Sequence, residues 1–217
     1  MLLSAFKWLL FITWALVISM PSHAQSISNW YLGAGLGRGE AEVIGHERSP
    51  LVFQNLARAE LQPTVVTGSE QDNTNNWKLY AGYRVKPWLA AELSYHDLGH
   101  TTGLFTASLN GIATNVQGTL RSEYQAVAIA IVGEWQVLKQ LSLFAKGGLH
   151  FWEHQFDIKG GVADISNTRH GNGPLYGAGV KASLWSAASL KLEWERLFDI
   201  EDEEGIDIKT VSLEWAF

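Results

Sequence analysis

The chain has no cysteine, which excludes disulfides, thiolate metal centres and a lipid anchor attached through cysteine. Beyond its N-terminal segment it also lacks any uninterrupted apolar run near the length of about 18 residues that a membrane-spanning helix needs, so a helical membrane protein is excluded. It has no basic surplus: 16 Lys and Arg stand against 22 Asp and Glu, a net charge of −6, which argues against nucleic acid as a partner. What the N-terminus does have is an export signal. Lys7 precedes the apolar stretch Trp8 to Met20, and Pro21-Ser22-His23-Ala24 closes it with a small-x-small pattern, predicting cleavage after Ala24 and a mature domain over residues 25–217. An exported domain without disulfides must rest on a large core or on a sheet closed upon itself.

Eight segments alternate apolar and polar residues with the period of a strand that has one greasy face. They run over residues 30–38, 77–85, 89–97, 124–135, 141–153, 175–184, 189–198 and 206–217. In the last, Val211, Leu213, Trp215 and Phe217 share one face, opposite Thr210, Ser212, Glu214 and Ala216. The connections differ systematically: residues 86–88, 136–140 and 185–188 are short, whereas 39–76, 99–123 and 154–174 are long, polar and rich in Gly, Asn, Thr or Ser. Short turns at one end and long loops at the other are the pattern of a transmembrane barrel with its short side in the periplasm. Trp30, Trp88, Trp135, Trp185 and Trp215 all fall at short-turn ends, as expected of rings anchored at a water-lipid boundary. Tyr95, Tyr124, Phe151, Tyr176 and Phe198 are candidates for a second belt; the alternative is that these aromatics form a soluble core.

Several stretches resemble the OmpA-like family of eight-stranded outer-membrane barrels: Trp30-Tyr-Leu-Gly-Ala-Gly-Leu-Gly37, Trp77-Lys-Leu-Tyr-Ala-Gly-Tyr83, the segment from Ala91 to Gly99, Tyr176-Gly-Ala-Gly-Val180, Ser189 to Glu195 and the terminal strand. The resemblance implies an all-β, eight-stranded antiparallel up-and-down barrel in the outer membrane of a Gram-negative bacterium. It also implies delivery to the barrel assembly machinery through a C-terminal aromatic strand, here Trp215 and Phe217. Many relatives carry a peptidoglycan-binding domain; this sequence stops at Phe217, so cell-wall anchoring is not expected. The family does not fix a function.

Inward parity collects Glu92, Glu134, Glu193, Glu195 and Glu214 with Lys78, Arg84, Lys146, Lys181 and Lys191. Of these, Glu92, Lys146, Lys181, Lys191 and Glu193 lie near mid-strand and are the predicted lumen charge network, acting either as a neutralised polar core or as a gate. Arg38, Arg196 and Lys209 have outward parity near the long-loop ends, where they are either solvated or in contact with lipopolysaccharide phosphates. His150, His154 and His170, with Asp157, Asp164 or Ser166, are candidates for rim catalysis, and no recognisable nucleophile motif surrounds them. His96 and His100 have helical metal-ligand spacing on what reads as strand and loop, and the acidic run from Asp199 to Asp207 departs from a calcium-loop pattern at Gly205, so no metal or cofactor is expected. The apolar stretch Leu51-Val-Phe-Gln-Asn-Leu-Ala57 within the first long connection reads as a partner site, a surface helix or a strand extension. The sequence thus predicts a monomeric, non-enzymatic outer-membrane barrel that acts through its long extracellular loops and contacts outer-membrane lipids. The alternatives are a narrow gated pore for small solutes and a rim lipid hydrolase or protease.

Overall fold

The computed structural model describes residues 29–41, 63–73, 75–109, 116–160, 164–200 and 205–217. The signal segment 1–24, the stretch 51–57 and the acidic residues 201–204 lie outside these. The elements are β1 (Trp30–Ala41), β2 (Pro63–Asn73), β3 (Asn75–Lys86), β4 (Leu89–Leu109), β5 (Val116–Leu138), β6 (Leu141–Gly160), β7 (Ile165–Ser183), β8 (Ala188–Leu197) and β9 (Ile206–Ala216). Eight of them form a closed antiparallel ring in the order β1-β3-β4-β5-β6-β7-β8-β9, sealed where β9 returns to β1 from Tyr31↔Ala216 to Ala41↔Ile206. Closure leaves the ring without an open strand edge, the condition for strands in lipid.

The faces are inverted relative to a soluble barrel. Leu36 is 73% exposed and Ile131 59% on the outside, while Lys78 and Glu195 inside are 1% and 0% exposed. A belt of exposed Leu, Ile and Val this continuous would aggregate in water and is at rest in hydrocarbon. Trp30, Trp88, Trp135, Trp185 and Trp215 are all exposed around the short-turn end. At the other end Trp77, Phe151, Tyr176 and Trp194 form the second belt. Of the aromatics expected there, Tyr95 packs against Trp77 with centroids 5.2 Å apart and is covered by it, whereas Tyr124 has inward parity and stacks on His154 with ring centroids 4.0 Å apart.

Cross-strand partnership of aromatics with glycines makes the narrow interior possible. Tyr80 lies over its partner Gly33, Tyr31 over Gly82 and Phe144 over Gly179. A Cβ at Gly82 would stand 2.0 Å from the Tyr31 ring, so the ring occupies the space a side chain would need.

The long connections differ most from expectation. Much of 39–76, 99–123 and 154–174 is strand: β4 and β5 pair out to Ala107↔Val116, β5 and β6 to Gly118↔Gly160, β6 and β7 to Ile158↔Ile165. β2 continues the line of β3 along β4, from Asn73↔His100 to Pro63↔Leu109. Since β1, β8 and β9 stop at the barrel, the sheet β2-β4-β5-β6-β7 rises from one side of it as a partial wall. The pairing steps out of register between Asp97 and His100, where β4 leaves the ring. There Gly99 adopts φ 90° and its N–H donates to Asp97 Oδ1 at 3.0 Å, a left-handed turn that only glycine adopts without strain.

Candidate functional site: the barrel lumen and its rim

The interior is stacked in layers along the barrel axis. Nearest the short turns, Arg84 donates to Glu214 at 2.8 Å and Lys181 pairs with Glu134 and, at 3.5 Å, with Glu214. The cavity among Tyr31, Arg84, Glu134, Phe144, Lys181 and Glu214 is about 10 Å³, room for about one water. Next come Tyr31, Tyr80 and Phe144 with Ala90 and Val132, packed as an apolar layer.

The central layer is a buried ion cluster of three lysines and three glutamates. Lys78 meets Glu193 at 2.5 Å, Glu195 at 2.8 Å and Glu92 at 3.8 Å. Lys146 meets Glu193 at 2.8 Å, Glu92 at 3.3 Å and also Glu195. Lys191 meets Glu92 at 3.3 Å and Glu193 at 3.5 Å, and its ammonium lies over the Tyr80 and Phe144 rings at 4.6 and 4.4 Å. Tyr31 donates its hydroxyl to Glu92 at 3.3 Å, tying the aromatic layer to the cluster. Each charge in the cluster has at least two opposite partners, as burial of six ions requires.

From the level of the cluster toward the long-strand end the lumen holds a buried apolar group together with buried Asn76, Ser94, His96, Ser122, His150 and His154. Ala126, Ala128, Ala130, Trp152, Leu175, Leu197, Ile206 and Ile208 form one buried group, joined by Ile200 from the β8–β9 connection. That connection is pinned over the barrel mouth. Trp152 Nε1–H donates to the Asp199 carbonyl at 2.9 Å, His150 Nε2 lies 2.8 Å from the Phe198 carbonyl, and Phe198 N–H donates to the Pro174 carbonyl at 3.1 Å. The arrangement holds balanced charge in a buried core beneath a mouth packed with both apolar and polar side chains.

Of the five predicted network residues, Glu92, Lys146, Lys191 and Glu193 meet in the central cluster. Lys181 does not; it belongs to the short-turn layer with Glu134 and Glu214. Lys78 and Glu195 take part in the centre although sequence reasoning set them outside it. Parity marked both as inward, but the stagger between strands decides which inward residues share a level.

The rim cations separate. Arg38 is directly opposite Lys209 in the β1–β9 register, both on the outer face, whereas Arg196 lies 3.6 Å from Asp207 and over the Phe198 ring. The candidate catalytic residues are split between the faces of the sheet. His150 and His154 face inward, while His170 lies outward, 3.4 Å from Glu153, on the side where Asp157 opposes Ser166. The contact no spacing signalled is Ser122 Oγ at 2.6 Å from His154 Nε2, made across β5 and β6. His96 is buried beside Ser94 at 2.9 Å, on the far side of the bulge from His100. Among the described residues no cluster of His, Asp and Glu has metal-site geometry.

The terminal residues close the ring. Phe217 N–H donates to the Trp30 carbonyl at 3.1 Å, and Trp215 packs edge-on against Trp185 with centroids 6.3 Å apart.

Comparison with known proteins gives the same architecture. No curated protein matches the sequence. Among solved structures, Neisserial surface protein A superposes with a TM-score of 0.50 at 10% identity, covering 88% of this chain and 98% of that one. The N-terminal barrel domain of Pseudomonas aeruginosa OprF aligns at 0.49 and 10% over 88% and 98%, and Ail of Yersinia pestis at 0.46 and 13% over 88% and 97%. At 10% identity the likeness to Neisserial surface protein A is one of fold. The OmpA-like transmembrane domain profile matches residues 25–217, and with the closed eight-stranded ring and its inverted faces this assigns the chain to the OmpA-like transmembrane domain family of outer-membrane β-barrels.

Proposed function

We propose that this chain is a non-enzymatic, non-conducting protein of the Gram-negative outer membrane whose work is done by the sheet β2-β4-β5-β6-β7 on the cell surface, in surface interaction or envelope integrity. The observation that carries this reading is the one-sided extension of the ring: β4 has 21 residues and β5 has 23, against 10 in β8 and 11 in β9. Spanning the membrane needs only about 9–11 residues per strand, so the surplus serves a purpose beyond spanning.

Two features favour this over the pore and enzyme readings. A conducting path would have to cross the buried side chains packed around Ile200 and then the buried ion cluster, whose charges are engaged by one another rather than by a passing ion. Ser122, whose Oγ lies 2.6 Å from His154 Nε2, is 3% exposed, so a lipid or peptide carbonyl would have no approach to it.

The test uses a strain lacking the protein, complemented either with the full chain or with a chain in which residues 102–121 are replaced by Asn-Gly, a two-residue hairpin joining the cross-strand pair Thr101↔Ser122. With equal outer-membrane levels, the full chain is expected to restore resistance to detergent and large antibiotics and the trimmed chain to fail. Full restoration by the trimmed chain, steady currents from the purified protein in planar bilayers, or altered lipid A in expressing cells would each overturn the reading.

A further inference from the structure

The surface sheet ends on a bare edge. β2 pairs with β4 along one side, from Asn73↔His100 to Pro63↔Leu109, and no described strand lies along its other side. The strand that would continue there is β1, which pairs with β3 only as far as Arg38↔Asn75 and then follows β9 to Ala41. At the opposite end of the sheet the foot of the β7 edge is occupied, since Phe198 N–H donates to the Pro174 carbonyl at 3.1 Å. A row of unpaired N–H and C=O groups is a template for another strand. On β2 that row belongs to a strand of 11 residues, with Thr64-Val-Val-Thr67 of high strand propensity and no proline after Pro63.

Charge and direction decide what fits this edge. The acids of β2, Glu70 and Asp72, lie toward the barrel, whereas residues 63–69 are uncharged. Copies in one membrane run in the same direction, so their β2 edges can meet only in parallel. Pairing in register would then set Glu70 against Glu70 and Asp72 against Asp72, which is destabilising. Copies in two facing membranes run oppositely, and their edges meet antiparallel, the more stable ladder. Centred on Gly68, that pairing spans the whole of β2 and sets Glu70 opposite Val66 and Asp72 opposite Thr64, so no acid meets an acid. A two-fold pairing also covers both edges at once and stops there.

We propose that β2 is a homotypic adhesion strand, the edge of one copy pairing antiparallel with that of a second copy on a facing cell, about a two-fold axis at Gly68. This rests on the surface-sheet reading and names the partner of that sheet.

The full chain, which has no native cysteine, is reconstituted in two vesicle populations, and clustering on mixing is followed by turbidity. Heat-modifiable migration verifies folding of every variant. Parent vesicles are expected to cluster, and G68K, which places a cation on the axis in both copies, is expected to abolish clustering. With T64C in one population and D72C in the other, mild oxidation should give disulfide dimers between the populations, whereas T64C in both should give none. Dispersed parent vesicles, undiminished clustering of G68K, or dimers from T64C in both populations overturn the pairing. The complemented-strain assay is read separately: a parent chain that restores resistance without clustering vesicles sinks the pairing and leaves the surface-sheet reading standing, whereas clustering without restored resistance does the reverse.

Discussion

Glu92 touches all three lysines of the central cluster and accepts a hydrogen bond from Tyr31, so among the cluster's three carboxylates it ties the most neighbours together. Changing it to Gln leaves three buried ammonium groups facing two carboxylates, and Lys191 keeps one carboxylate contact, with Glu193 at 3.5 Å, besides the two rings beneath it. Breaking a buried ion network from one side costs about 3–5 kcal/mol, mostly as the penalty for the charge left over. Glu92→Gln should therefore move the urea unfolding midpoint in detergent down strongly, and adding Lys191→Met should recover part of the loss by restoring balance. An unmoved midpoint in the single variant would mean that water reaches the cluster. A second residue-scale prediction concerns Gly82. Its Cβ position is taken by the Tyr31 ring, so Gly82→Ala should cost about 1–3 kcal/mol through overpacking, and the same change made in a Tyr31→Ala background should cost clearly less. Equal costs in the two backgrounds would show that the ring is not the obstacle. At this scale the sequence was legible in one dimension: parity sorted ten charges inward, but the axial level of each depends on strand stagger. Lys181 and Lys78 thus exchanged places relative to expectation.

The strands inside the membrane announced themselves because lipid imposes a greasy face on every second residue. Once the chain rises above the bilayer that pressure disappears, and pieces such as His100-Thr-Thr-Gly103 and Gly118-Thr-Leu-Arg121 read as polar loop although they pair as strand. The composition was read correctly and the element wrongly, since Thr and Gly serve both an exposed strand and a turn. The β8–β9 connection was likewise visible only as an acidic run; that it carries Ile200 into the barrel mouth depends on Trp152 reaching it from β6, 47 residues away in sequence from its acceptor at Asp199. Trp152→Phe keeps the packing and removes that one hydrogen bond, worth about 1 kcal/mol. Amide hydrogens around Ile200 should then exchange several-fold faster while those of the β1–β9 seam are unaffected. If exchange near Ile200 is unchanged, the apolar contacts alone hold the connection down.

As a whole the molecule is a cylinder whose stability is shared around a seam. β9 pairs with β1 through every position from Ala216 to Ile206, and Phe217 adds one further hydrogen bond at the edge while its ring remains 44% exposed to the outside. A residue in that position contributes little to the finished barrel: deleting it forfeits about 1 kcal/mol of backbone hydrogen bonding. A recognition signal, by contrast, is read before the seam exists, when the terminal strand is still an unpaired amphipathic edge with Val211, Leu213, Trp215 and Phe217 on one side. The two roles separate experimentally. Deleting Phe217 should leave refolding into detergent or lipid vesicles nearly intact, with a midpoint shifted by no more than that single bond. Meanwhile the amount of folded protein in the outer membrane of expressing cells should fall several-fold. A small and equal deficit in both assays would assign Phe217 to the seam alone, because a loss confined to the cell requires a component that reads the strand before the ring closes.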